Sequence, residues 1–465
     1  MKISIERTTK RVTSAVLAVL MMVSIAACGK KEDGKVTITI ANTPNETMVK
    51  ELEDHNKKVA EFEELNPDIK IVSDSDAYAD AKTFMLTAAA HQLPTAYTSH
   101  FTDTKLRIRE GYAADITKLL EKYDLVEKIN PDFKSLVCDD DGKIYGIPVN
   151  GYAQGLAVNK ELFKKAGLVN ADGTIKYPDS YEELAEFAVI IKEKTGVAGY
   201  AIPTISNCGG WHFMNIAWSY GVNFEEQQED GSWKATFNTP EAVAALQFIK
   251  DLKWKYNVLP ETSVIDQTEL HKLYGTGQVA MIISGTNNSW SQKYGMDLSK
   301  IAICKIPKGP AGRYAQTGGS ALQFSVDATE AEIEAAFKWY DFSGTFPDLS
   351  EDRIAKIEKG RQLSRESNSL LLPCDVFPVW VDAERDKVLN EIYAKTANVD
   401  IKDYETYLDF SNVTLRAEET VCAQELYAVL DSAIQEVLAN KDADCAAIIK
   451  TACNDFQVNH LDKQN

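Results

Sequence analysis

Past residue 35 the chain moves between two hydrophobic rhythms. "KVTITIAN", Lys35 to Asn42, sets its apolar positions two apart and predicts a strand. From Glu46 to Asn66 the apolar residues Met48, Leu52, Val59, Phe62 and Leu65 fall on one helical face, and Pro67 ends the run. "IKIVSD" follows as a strand, so the three form a βαβ unit whose right-handed crossover predicts a parallel sheet covered by helices. An Ala-rich helix ending near His91, a strand around "TAYTS" and a helix from Asp103 to Glu110 repeat the pattern.

"VCDDDGKIYGIPVNGY" reads as a hairpin turning at Asp141-Gly142, with a hinge expected from Pro148 to Tyr152. A second α/β series starts there. Ser180 and Glu183 predict a capping box for a helix that runs to about Lys194 and stops at Gly196, with "VAGYAIPT" as the next strand. Thr239 and Pro240 cap and open the helix "EAVAALQFIKDLKWKY". "GQVAMIIS", "IAICKIP" and "SALQFSV" read as strands, "EAEIEAAFKWY" as a helix, and the chain beyond about Ser350 as mostly helical. The class is α/β, and 465 residues with 45% hydrophobics suffice for two lobes with separate cores.

The first 27 residues have another character. Lys2, Arg7, Lys10 and Arg11 precede an uncharged stretch from Val12 to Ala27, the layout of an export signal and too short for a resident membrane span. Ile25-Ala26-Ala27-Cys28 looks like a bacterial lipobox, so cleavage is expected to leave Cys28 as a lipidated N-terminus, followed by a linker over 28–35. Several acyl chains on one cysteine make a durable anchor where a single chain is marginal. The net charge of -19 becomes more acidic once the basic leader is removed, which argues against nucleic acid and anionic lipid as partners. The seven other cysteines are odd in number and scattered; they read as buried thiols, with one or two bridges left open.

Catalytic signatures are missing. No nucleophile elbow or P-loop occurs, and His55, His91, His100, His212, His271 and His460 show no metal-ligand spacing, so neither a cofactor nor a metal is expected. Asp139 to Gly142 superficially resembles a calcium loop, but Asn150 stands where the closing Glu belongs, so a solvated hairpin tip is the better reading. Aromatic and amide residues on predicted loops are more informative. "NCGGWHFMNIAWSYG" holds Trp211, Trp218 and Tyr220 around a Gly pair, and Tyr152 and Gln154 follow the hinge. Rings that face sugar CH groups, beside amides and hydroxyls that pair with its OH groups, suit a carbohydrate pocket. Trp254 and Trp339, on amphipathic helices, read as core, and Trp233 as a hairpin residue.

With "FEELNPDIKIV", "LPTAYTSHF", "GYAADITKLL", "DGKIYGIPV" leading to "LAVNKELFKKAGL", "YPDSYEELAEFA" and "YGTGQVAMIISGT" before "IPKGPAGRYAQTGG", the chain resembles the family 1 extracellular solute-binding proteins of ABC importers. The resemblance implies two α/β lobes joined by hinge crossings, here 36–148 plus 300–347 and 149–299 plus 348–465, with the solute in the cleft between them. Crossings are then expected near Pro148 to Tyr152, Ser299 to Ile303 and Thr345 to Ser350. It implies solute contacts from Asn42 and Asn45, from Ser99 and His100, from Tyr152 and Trp211, and from the loop opening at Gly285-Thr286; Gln154 joins them by its place after the hinge. Where sugar binders often have an aromatic after that glycine, this chain has Asn287 and Asn288, with Trp290 further on, and Thr95 replaces the usual Asp. The expected protein is a monomeric receptor, tethered to the outer face of the cell membrane, that hands a sugar or oligosaccharide to permease subunits. An exported hydrolase acting on glycans, or a receptor for another solute, are the alternatives.

Overall fold

The structure is a computed structural model and describes residues 34–464 except 77, 79 and 80; the leader and Cys28 lie outside the described residues. In chain order the strands are β1 (Val36–Ile40), β2 (Ile69–Ser73), β3 (Ala96–His100), β4 (Ile147–Ala153), β5 (Gly155–Asn159), β6 (Ala198–Tyr200), β7 (Glu225–Gln227), β8 (Trp233–Ala235), β9 (Val279–Ser284), β10 (Ile301–Cys304), β11 (Tyr314–Phe324) and β12 (Thr414–Arg416). One sheet runs β12-β11-β3-β1-β2 with β4 also on β11, and a second runs β10-β5-β9-β6. β1 and β2 are parallel, in register from Val36 opposite Ile69 to Ile40 opposite Ser73, and the helix Val49–Leu65 supplies the crossover.

Each sheet has its own core. Ile38, Ile40, Ile69 and Ile71 bury against Phe62 and Trp339 in the first lobe. In the second, β5, β9 and β10 are buried at every residue because helices cover both faces of the sheet. Leu156, Val158 and Ile283 face one layer of helices, and Ala157, Ile282, Ile301 and Ile303 face another that includes Tyr404 and Tyr407. A large side chain so buried contributes ~1.5–3 kcal/mol.

The outward crossing falls at Gln154: Tyr152 and Ala153 still pair with β11, while Gly155 already pairs with Ser284 of the second sheet. The return lies later than expected. Ile301–Cys304, assigned above to the first lobe, pairs antiparallel with β5 in the second sheet, so the chain comes back between Cys304 and β11. The boundary at 300 came from the family resemblance, and a short buried strand reads alike in either sheet, so its own pattern offers no correction. Trp380, assigned to the second lobe, is buried in the first-lobe core, and its indole N–H donates to Thr345 O at 3.0 Å.

Local differences have local causes. Ser180 Oγ accepts from Glu183 N–H, but the Glu183 carboxylate accepts from Asp179 N–H at 2.8 Å instead of closing the box on Ser180. Asp139 Oδ1 accepts from the N–H groups of Asp141 and Lys143, so that turn closes on its own carboxylate. All seven cysteines of the described chain are free thiols.

Candidate functional site

The ends of β3 and β4 and the middle of β11 border a cleft of about 320 Å³ between the lobes, at the small end of the ~300–1,000 Å³ range for small-molecule sites. The first lobe contributes His100, Phe101 and Thr102, where β3 turns into the helix Phe101–Arg109. This is the carboxyl end of a strand, where open α/β sheets bind ligands. Tyr152 and Thr317 to Gly319, on the paired strands β4 and β11, form the floor. The second lobe supplies Ser206, Asn207, Cys208, Trp211 and Gln267, together with Glu418, Gln424 and Tyr427.

Trp211 does not sit on a loop. "CGGWHFMNIAWSY" forms one helix, Cys208–Tyr220, and Trp218 is core. Its glycines serve close approach: a Cβ on Gly210 would lie 2.5 Å from Tyr427 Cα, and one on Gly209 2.6 Å from Asp431 Oδ1. That lets the helix Ala423–Ala439 press against Cys208–Tyr220, and Asp431 caps the latter's start by accepting from Gly210 N–H at 2.7 Å and Asn207 N–H at 2.8 Å. Ser206 and Asn207, both at the cleft, hold positive φ of 61° and 64°. Asp431 therefore fixes the turn that aims Trp211 at the solvent.

The Trp211 and Tyr152 rings lie 6.4 Å apart at 56°, and Tyr152 is 37% exposed. Trp211 Nε1–H donates to Glu418 Oε1 at 2.6 Å, and Gln316 Nε2 donates to the same oxygen at 3.3 Å. Burial raises the Glu418 carboxyl above its usual range, opposed by the Trp211 and Thr102 donors. Burial, aided by Glu418, likewise pushes up the Tyr152 phenol.

Of the residues expected at the solute, the cleft takes in His100, Tyr152 and Trp211. The others lie elsewhere. Ser99 is fully buried against Thr104, Gln154 is buried at the crossing, and Trp290 is fully buried against Tyr274. Asn42 Oδ1 accepts from Thr98 N–H and Asn45 Oδ1 from Thr47 N–H, so both tie loops locally. Gly285 packs on the Ala153 carbonyl, and Thr286 is exposed outside the lining. Glu418, Tyr427, Gln424 and Gln267 were not singled out by the sequence. The Gly318-Gly319 pair inside a strand was the readable signal, since such glycines mark close backbone approach.

Asn287 reaches the cleft indirectly. Its Oδ1 accepts from Ser289 N–H, so its amide nitrogen donates to His271 Nδ1 at 3.1 Å. His271 then carries its proton on Nε2, 2.9 Å from the Gln267 amide, which lies 2.7 Å from His212 Nε2. Gln267 Nε2 faces His271 and its Oε1 faces His212; turning this amide over lets the carbonyl accept from His271 and the NH₂ donate to His212, which satisfies the chain of bonds with neutral rings. Burial lowers both imidazoles to about 4. The folded state thus binds fewer protons than the unfolded one, whose histidines titrate near ~6.5. Stability contributed by these rings is complete above that value and is lost as pH falls through about 4. The urea midpoint should drop over that window, and replacing both histidines by Gln should flatten this part of the profile.

Comparisons with known proteins agree with this geometry. The model of the bacterial extracellular solute-binding protein family matches residues 48–345. A binding protein of Brucella abortus (strain 2308) is 28% identical over 205 residues, 43% of this chain and 47% of that protein. The melibiose/raffinose/stachyose-binding protein MelE of Bacillus subtilis (strain 168) is 24% identical over 180 residues, 38% of this chain and 39% of MelE. The chain thus spans less than half the length of these curated relatives. Maltose-bound MalE3 of T. maritima superposes with a TM-score of 0.64 at 22% identity over 91% of this chain and 99% of its own, and shares the two-lobed fold. With more than half its length matched by the family model, the chain belongs to the bacterial extracellular solute-binding proteins.

Proposed function

We propose that this chain is the lipid-anchored, extracytoplasmic receptor of an ABC importer and binds a sugar or oligosaccharide between its lobes, without altering it. The observation that carries this reading is the pairing of Tyr152 and Trp211, 6.4 Å apart, with the Glu418 carboxylate 2.6 Å from the indole nitrogen. Two tilted rings offer apolar faces to a pyranose, and the carboxylate with Asn207, Gln267 and Gln424 offers polar partners for its hydroxyls. The names of MelE and MalE3 point the same way. Glycoside hydrolysis ordinarily uses a pair of carboxylates, and the described lining residues supply one, which favours a receptor over a hydrolase. A tether at Cys28 would raise the receptor's effective concentration at the permease.

A thermal-shift screen against a carbohydrate panel tests the reading, because a ligand of the native state raises the melting point by mass action. Sugars recovered intact after binding support a receptor, and turnover would replace it with the hydrolase. Trp211→Ala should weaken binding of the sugar so found by ~0.5–1.5 kcal/mol beyond the lost area, several-fold or more, with the free protein's melting point nearly kept. Lost stability with unchanged affinity would make the ring a packing element only. Cys28→Ser should release the protein from the membrane fraction, and continued membrane association would refute the anchor.

A further inference from the structure

The charge balance of the cleft narrows the solute class, given the receptor reading above. We propose that the solute carries an ammonium group, seated against Glu418 beside the Tyr152 and Trp211 rings. Among the described residues lining the cleft, Glu418 is the carboxylate and none is a lysine or arginine. His100 is the one imidazole of the described lining, and no lysine ammonium or guanidinium there pairs with Glu418. Asp103 adds to the negative field at Glu418, and Glu425 adds to that at Asp103. Arg107, 3.5 Å from Asp103, does not neutralise the cleft; its guanidinium is buried in the first lobe over Phe84 and donates to Tyr78 O at 2.8 Å.

A half-buried carboxylate gains from hydroxyl donors, but only a cation both bonds and neutralises it. Trp211 and Gln316 both donate to Oε1, and Thr102 is a third donor to the carboxylate. A carboxylate accepts about four hydrogen bonds, so Oε2 keeps acceptor capacity for the solute. Cations also favour the faces of Trp and Tyr rings within ~6 Å, and the two rings, packed at 6.4 Å and tilted by 56°, present adjacent faces that one group can touch from the open side of the wedge. Burial raises the Glu418 carboxyl, and a bound ammonium would bring it back down. An amino sugar joins this cation to the ring faces and hydroxyls that the rest of the lining suits.

Three disaccharides of one backbone geometry provide the test: cellobiose, the β-1,4 dimer of glucosamine and its N-acetylated form, with choline as a cation lacking the sugar. Calorimetry at pH 6.5 should show the amine dimer bound about 10-fold or more tightly than cellobiose or the acetylated dimer. That ratio should shrink with added salt and approach one in Glu418→Gln; the wild-type ratio decides the matter even if that variant folds poorly. Cellobiose or the acetylated dimer binding as tightly as the amine would overturn the ammonium site and leave the sugar receptor standing. Choline binding with no saccharide bound would keep the ammonium site and overturn the carbohydrate reading. Silence from all four probes overturns the ammonium proposal, and the wider carbohydrate panel then decides the receptor reading separately.

Discussion

Asp431→Ala is expected to destabilise the protein by ~2–4 kcal/mol and to lower solute affinity about tenfold or more. The carboxylate holds the N–H groups of Asn207 and Gly210 at 2.8 and 2.7 Å. Each is left without its acceptor in the variant, at ~1–3 kcal/mol per buried group. Ser206 and Asn207 both sit in the left-handed region, where a non-glycine residue carries ~1–3 kcal/mol of strain unless its surroundings impose it. Without Asp431 the turn should relax, and relaxation moves Asn207 and the first turn that carries Trp211. Urea unfolding measures the first effect and calorimetry with an identified solute the second. Asp431→Asn retains one acceptor oxygen and should fall between wild type and alanine. Affinity kept in both variants would mean that the turn holds its shape without the carboxylate.

The same turn shows where sequence reading ends. The alternating strands and the helical faces of the first lobe were legible because each rests on local periodicity: Phe62, placed on the core face by spacing, is 1% exposed beneath the first sheet. Trp211 was expected at the solute and lines the cleft, yet its surroundings were not legible. A Gly pair marks either a turn or a close approach of two helices, and only the partner helix, with Tyr427 and Asp431, separates the two. That helix lies more than two hundred residues away in sequence. Glu418 is one of 69 acidic residues, and nothing in its neighbours sets it apart until β12 pairs with β11 and brings it beneath the indole. Trp290 failed in the opposite direction. It stands further from the glycine loop than the aromatic that sugar binders often have there, and the short helix Ser289–Gln292 turns its ring inward onto Tyr274 and His271.

Gly319→Ala is expected to be the most damaging single methyl in the cleft. Gly319 pairs with Gly151 across β11 and β4, and a Cβ there would lie 2.1 Å from the Asn150 carbonyl oxygen and 2.6 Å from Phe101 Cε2. The first obstacle is backbone and cannot rotate away. Nor can the strand back off: Ser320 to Phe324 pair with β3, Tyr314 to Gln316 pair with β12, and the register already shifts between Ser320 and Ala321. Overpacking of this kind costs ~3 kcal/mol or more when the neighbours are fixed. The damage should reach function directly, because β4 carries Tyr152, Phe101 begins the helix bearing Thr102, and these strands cross between the lobes. Gly360 is the matched control. It lies in the exposed helix Glu351–Glu366 with nothing within 4 Å of an added Cβ, so alanine there should stabilise by up to ~1 kcal/mol through helix propensity. Denaturant unfolding of the two variants should move in opposite directions, and only Gly319→Ala should lose solute binding. Equal stability of the two would mean that β4 and β11 part at this step without cost, and that the cleft floor is not the rigid element from which the lobes move.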